Sequence, residues 1–254
     1  MSNQPTAIVT GGSKGIGATI VETFVQKGYR VVFSARHATG LAKRLGAAVR
    51  FVKADARRRA DHVRLVRAAV KWTGCLDVYV NCAGVSIWKP LPEVDEAFLD
   101  LLVDTNLKGL FWGCQAAAAH FTKTGTPGVI VNVSSLAGKR GSANNSVYCA
   151  SKFGVNGITQ ALAKELGGRG IRVNAVCPVY IDTESLRASL SEKVSPSQGA
   201  EFGGFIAGFA RGNAALGRIP RAEEVADLCA YLASDEASAI TGQCINVDCG
   251  VLPS

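Results

Sequence analysis

No stretch of this 254-residue sequence approaches the ~18 consecutive apolar residues that a membrane span requires. Met1 to Pro5 runs straight into Thr6-Ala7-Ile8-Val9-Thr10 with no basic leader or apolar signal core, so a cytoplasmic protein is expected. Charged residues are scarce, at 19% against 48% hydrophobic, which excludes a disordered chain and leaves apolar material for a large core. The eight cysteines include no CxxC, and most sit in apolar runs such as Ala175-Val176-Cys177. Buried free thiols fit that pattern better than disulfides or a metal site. His37, His62 and His120 show no ligand spacing either, so no metal is expected. Any low-complexity linker or internal repeat is also lacking, and residues 1–254 read as a single domain.

A formal charge of +8 raises the question of a polyanionic partner, and Arg57-Arg58-Arg59 with Arg64, Arg67 and Lys71 is the densest basic tract. Arg64, Arg67 and Lys71 fall on one helical face and Val63, Val66 and Val70 on the other, the pattern of a solvated helix packed on a sheet. Neither a nucleic acid nor a membrane is therefore expected as a partner. Along the chain, strand-like apolar runs alternate with helix-length stretches, which implies βαβ units and a doubly wound α/β fold with a parallel sheet of about seven strands and helices on both faces. Strands are expected near 6–10, 30–34, 49–54, 76–81, 129–133, 172–176 and 244–248, and helices near 16–27, 60–72, 96–122, 147–167 and 222–233. Residues 184–213 break the rhythm, mixing Ser195-Pro196-Ser197 with Gly199, Gly203, Gly204 and Gly208. They follow a strand's C-terminal end, where ligands bind in such sheets, so a substrate lid is expected there; an ordinary loop is the alternative.

The first strand leads into Thr10-Gly11-Gly12-Ser13-Lys14-Gly15-Ile16-Gly17. Glycines at 11, 15 and 17 permit a tight turn, close approach to a pyrophosphate and close packing of helix on strand, while the helix N-terminus offers unpaired N–H groups to the anion. Tyr148 and Lys152, four residues apart, share one helix face. A phenol with a pKa near ~10 is a poor acid or base at neutral pH, and a neighbouring ammonium and an oxidised nicotinamide would both lower that value. That shift would fit Tyr148 for proton transfer. In isolation such a pair is an ordinary surface pair, and a glycine turn is an ordinary backbone device.

The TGxxxGxG spacing resembles the short-chain dehydrogenase/reductase family, a Rossmann-type fold, and the family's other motifs follow in order. Asn81-Cys82-Ala83-Gly84 resembles NNAG, with Cys82 replacing an asparagine. Asn106, within Asp104-Thr105-Asn106-Leu107-Lys108-Gly109, matches the family's helix asparagine; Ser134-Ser135 closes the fifth strand; Tyr148-Cys149-Ala150-Ser151-Lys152 is the YxxxK motif. Asn174 to Thr183 resembles NxVxPGxxxT, with Val179 where glycine is usual. The resemblance spans essentially the whole chain. It implies that Tyr148 is the proton donor, that Lys152 orients the ribose and tunes the tyrosine, and that Ser135 hydrogen-bonds the substrate oxygen as an oxyanion-type donor. Asn106 would help hold a water linking Lys152 to solvent. The cofactor would lie against Gly11, Ser13, Lys14, Gly15, Ile16 and Gly17 of the turn, then Asn81, Ala83 and Gly84. Past the sixth strand it would meet Pro178, Ile181 and Thr183, besides Tyr148 and Lys152. Asp55 matches the family's adenine contact and would equally serve as a helix N-cap near Arg57. Of the two departures, Val179 resists positive φ and is expected to send its loop along a different path. Cys82 loses an amide that braces the neighbouring strand.

Where NAD-specific members of the family carry an acidic residue after the second strand, this sequence has Ala35 followed by Arg36. With Lys14 near the same ribose, two cations are expected to hold a 2′-phosphate, and NADP(H) is the expected cofactor. The implied activity is reduction of a ketone to a secondary alcohol by hydride transfer, on a small-molecule carbonyl substrate such as a 3-oxoacyl or polyketide-like ketone. A sugar or cyclitol alcohol dehydrogenase is the alternative among enzymes. A non-catalytic NADP(H)-binding sensor or scaffold is the alternative outside them, against which the complete Tyr-Lys-Ser-Asn set argues. Trp88 either lines the substrate cleft or packs beside it. Small apolar residues at Ala116 to Ala119 and at Gly154, Gly157, Ala161 and Ala163 suit close packing between subunits, so a homotetramer, or a homodimer, is expected.

Overall fold

The computed structural model describes residues 4–253. Seven strands form one sheet: β1 (Thr6–Thr10), β2 (Arg30–Ala35), β3 (Val49–Lys53), β4 (Val78–Asn81), β5 (Gly128–Val133), β6 (Ile171–Pro178) and β7 (Cys244–Val247). Every pairing is parallel, in the order β3-β2-β1-β4-β5-β6-β7. The chain reverses its direction of travel across the sheet between β1 and β4, and the crevice at that switch point is where doubly wound sheets hold ligands. β1, β4 and β5 are buried throughout, as strands covered on both faces must be.

The helices are α1 (Gly15–Gln26), α2 (Leu41–Leu45), α3 (Arg59–Thr73), α4 (Glu96–Val103), α5 (Gly109–Thr124), α6 (Ser146–Leu166), α7 (Glu184–Leu190), α8 (Phe202–Asn213) and α9 (Ala222–Ala233). Residues of α1 and α9 cover one sheet face, packing Ile20, Phe24, Val225 and Leu232 on Val9, Val31 and Val80. Those of α3, α5 and α6 cover the other, packing Leu65, Phe121 and Val155 on Ile8, Tyr79 and Ile130. Among the described residues no helix is long and apolar enough to cross a membrane.

The structure departs from the sequence reading at three elements. The single helix expected over 96–122 is α4, a π-helical turn at Asp104–Lys108, and α5. On α3 the buried set is His62, Leu65, Val66 and Ala69, while Val63 is 37% exposed. The inner stripe therefore starts one residue earlier than the valines suggested, because the buried His62 is satisfied by Tyr79 Oη at 2.8 Å and the Ala56 carbonyl at 2.7 Å. Residues 184–213 hold two helices rather than plain loop, α7 capped by Thr183 and α8 by Glu201.

Candidate active site

Gly11 and Gly15 adopt left-handed φ values of +67° and +52°. A Cβ on Gly11 would lie 2.7 Å from the Ala83 Cα, and one on Gly17 would overlap the Gly11 carbonyl, so the glycine turn and the 82–84 turn fit only at full contact. Thr10 Oγ1 accepts from the Cys82 and Ala83 amides at 3.1 and 3.2 Å, bracing this turn where Cys82 supplies no side-chain amide. α1 begins without a side-chain cap and without an acid in its first turn, leaving its N–H groups open to an anion. Opposite, a Cβ on Gly15 would come within 3.3 Å of the Thr183 methyl, which closes the cradle from the β6 side. Ser13 offers its backbone here, its carbonyl accepting from Thr39 Oγ1 at 3.3 Å, and Ile16 packs inward on the core. Helix N-terminus, enforced glycines and a narrow slot fit the pyrophosphate of a dinucleotide.

Lys14 and Arg36 are exposed and have no ion-pair partner among the described residues. Asp55 is held below the usual carboxylate range, chiefly by hydrogen bonds from the Arg57 side chain and with a smaller contribution from Arg36. The Arg57 guanidinium reaches Asp55 Oδ1 at 3.0 Å and Oδ2 at 2.6 Å. Asp55 does not cap α3, whose N-cap is Arg58 with no side-chain bond.

The proton-handling groups meet at the C-terminal ends of β4, β5 and β6. Lys152 is buried on α6; its Nζ donates to the Val133 carbonyl at 2.9 Å and lies 5.7 Å from the centre of the Tyr148 ring. Burial lowers the Lys152 pKa to about 8. The half-buried Tyr148 moves the other way. Burial raises its pKa, opposed by side-chain hydrogen bonds with Ser135 and Ser86, so the Lys152 ammonium by itself does not lower the phenol. The two adjacent serines divide their roles: Ser134 is buried and donates to the Lys152 carbonyl at 3.3 Å, anchoring α6. Ser135 bears on Tyr148, donates weakly to the Pro178 carbonyl at 3.5 Å, and caps a turn by accepting from the Ala137 amide at 3.1 Å.

Asn106 sits in the π-helical turn with both atoms of its amide hydrogen-bonded. Its Oδ1 accepts from Val85 N at 2.8 Å, and its Nδ2 donates to Val85 O at 2.9 Å and to Ser151 Oγ at 3.3 Å. Through these bonds Asn106 positions the 84–86 segment beside Tyr148 and Lys152. Gly84 is pressed between them: a Cβ there would lie 3.2 Å from Asn106 Oδ1 and 3.8 Å from Lys152 Nζ. The buried Asn81 side chain donates to Asn132 Oδ1 at 3.0 Å and to Cys114 Sγ at 3.4 Å, between β5 and α5. Ile181 is buried in the core and Thr183 Oγ1 accepts from Leu186 N at 3.2 Å, which leaves backbone and methyl surface for a ligand. Val179 keeps a negative φ, its amide bonded to Val247 O at 3.3 Å, so the valine needs no strained path. Trp88 is buried with its indole N–H unpartnered. Ser86 and Thr10 escaped the sequence reading because each acts on a residue far along the chain, and no local spacing marks such a hydroxyl.

The model of the family described as Enoyl-(Acyl carrier protein) reductase matches residues 11–252. A diacetyl reductase [(S)-acetoin forming] of Staphylococcus epidermidis is 35% identical, covering 97% of this chain and 98% of that protein. An L-2,3-butanediol dehydrogenase of Corynebacterium glutamicum is also 35% identical, over 97% and 98%. Among solved structures, a variant of actinorhodin polyketide ketoreductase with NADPH superposes with a TM-score of 0.90 at 34% identity, covering 99% of this chain and 98% of that one. The aldohexose dehydrogenase of Thermoplasma acidophilum follows with a TM-score of 0.88 at 30% identity, over 98% and 94%. Matched in sequence and in fold over nearly its whole length, the chain belongs to the short-chain dehydrogenase/reductase family.

Proposed function

We propose that this oxidoreductase reduces a ketone to a secondary alcohol with NADPH as its cofactor. The observation that carries the reading is the convergence of Tyr148, Ser135 and Lys152 at one sheet edge beside the glycine cradle. Bound NADPH supplies the hydride. The chain's own residues handle the oxygen: Tyr148 Oη, protonated at neutral pH, gives its proton to the carbonyl oxygen, and Ser135 Oγ donates a hydrogen bond to the same atom. Lys152, charged below about pH 8, sits beneath the tyrosine and offers its ammonium to the cofactor ribose. The 84–86 segment held by Asn106 keeps Ser86 against the phenol. Residues 184–213 act as the lid over the substrate, shutting water out.

Lys14 and Arg36, which have no ion-pair partner among the described residues, are assigned to the 2′-phosphate, with Ala35 offering no acid to repel it. Two charge-assisted bonds of about 1.5 kcal/mol or more each imply a preference for NADPH over NADH of ~100-fold or more in kcat/KM. Steady-state reduction of diacetyl and larger ketones with each cofactor tests both parts. The double change Ala35→Asp with Arg36→Leu should invert the preference, because a carboxylate repels the phosphate and accepts from ribose hydroxyls. Equal kcat/KM for the two cofactors would remove the phosphate clamp and leave the reductase reading intact.

A further inference from the structure

The segment between β6 and α9 carries a wall of aromatic rings. The Tyr180 ring centre is 4.8 Å from that of Phe209 and 6.0 Å from that of Phe205, and the two phenylalanines stack with centres 6.5 Å apart. On α8 the half-buried Phe202, Phe205, Ile206 and Phe209 recur at helical spacing, while Gly203, Gly204 and Gly208 occupy the exposed face. The wall begins at the reacting end of the cleft. Tyr180 stands two residues after Pro178, whose carbonyl accepts from Ser135, and Leu136 packs in one cluster with Val179 and Phe209.

Several polar side chains of this segment are engaged within it. Both Asp182 oxygens take the Arg187 guanidinium at 2.7 Å, Thr183 caps α7, and Glu201 accepts from the Gly203 and Gly204 amides at 2.7 and 2.6 Å. Ser195 and Ser197 both donate to the Leu190 carbonyl. What α8 turns toward Tyr180 is ring surface, which gives apolar area but no acceptors for sugar hydroxyls; those would be desolvated without partners. Resting on the ketone-reductase reading above, we infer that the substrate is a ketone whose body is an apolar ring system. Phe205, Phe209 and Tyr180 hold that body beside Ser135 and determine specificity for it, in preference to a polyhydroxylated sugar or a bare short-chain diketone.

The test compares α-tetralone, a bicyclic apolar ketone, with diacetyl in the wild type and in Phe205→Ala and Phe209→Ala, with NADPH affinity from fluorescence as a check that each variant is folded. Wild-type kcat/KM should favour α-tetralone, and each truncation should lower the tetralone-to-diacetyl ratio by about 10-fold or more, mainly through KM. An unchanged ratio in both variants overturns the inference, since rings that only support the fold would affect both ketones alike. A wild type that reduces diacetyl but not α-tetralone, or that oxidises an aldohexose with NADP+ more efficiently than α-tetralol, overturns it and leaves the reductase reading standing. Turnover of none of these compounds, with NADPH binding intact, sinks the reductase reading and the inference together.

Discussion

At neutral pH the Tyr148 phenol keeps its proton, because burial raises its pKa by more than the hydroxyls of Ser135 and Ser86 lower it. Lys152 responds to the same burial in the opposite sense, its pKa falling to about 8 because the charged form is the one penalised. Reduction needs both protons in place, so kcat/KM for the ketone should be flat on the acid side and fall as the pH rises through about 8. Lys152→Met should abolish that inflection, cost most of the activity and weaken NADPH binding; a wild-type profile flat through this range would contradict the assignment. Tyr148→Phe keeps the ring's packing and deletes the transferable proton. Its rate should drop by ~100-fold or more while the NADPH Kd scarcely moves, and retention of most activity would dismiss Tyr148 as the acid. At this scale the sequence disclosed which residues gather but not their protonation. Spacing puts Tyr148 over Lys152, whereas the sign of a pKa shift depends on how much water the assembled site excludes.

Helix boundaries were legible where caps and glycines mark them, as at α9, expected over 222–233 and found at Ala222–Ala233. The break between α4 and α5 was not. A π-helical turn adds a single residue per turn, a change too small to disturb an apolar pattern of period 3.6, yet it brings Asn106 to the Val85 backbone. Element packing also explains a glycine that propensity alone would forbid. Gly113 lies in the interior of α5, and a Cβ there would overlap Asn81 Oδ1, while the Asn81 amide is fixed by Asn132 and Cys114. Gly113→Ala therefore gains ~1 kcal/mol of helix propensity and loses more to overpacking, a net destabilisation of about 2 kcal/mol. Gly208→Ala, on the open face of α8 with nothing within 4 Å of the new methyl, should instead stabilise. Thermal unfolding of the two variants should shift in opposite directions; a Tm for Gly113→Ala at or above that of the wild type would show that α5 can yield.

For the molecule as a whole, the sheet order follows from the alternation of apolar runs, because parallel strands joined by helices leave few right-handed arrangements. Assembly was argued from small residues, and the structure reassigns several of them: Ala117 and Ala163 are buried in their own core, and a Cβ on Gly154 would strike Leu107 of the same chain. The stronger signal is apolar surface left uncovered. Leu99 on α4, Phe111 on α5 and Phe153 on α6 are 43%, 39% and 48% exposed, and α4 and α5 both pack against α6. Elsewhere on the surface Leu216, and Tyr231 on α9, are 66% and 44% exposed. A tetramer rather than a dimer needs two distinct contact surfaces on one subunit, and the expectation of four chains assigns the first to the face of α4, α5 and α6 and the second to the surface around Leu216 and Tyr231. Light scattering at micromolar concentration should give four chains for the wild type. Phe153→Asp, which places a charge in the first patch while leaving the second, should give two chains with the fold and NADPH binding retained. A monomeric wild type would refute the assembly outright. A Phe153→Asp variant that stayed tetrameric would remove the face of α4, α5 and α6 from the interface, because a carboxylate buried there without a partner costs more than a single contact patch can offset.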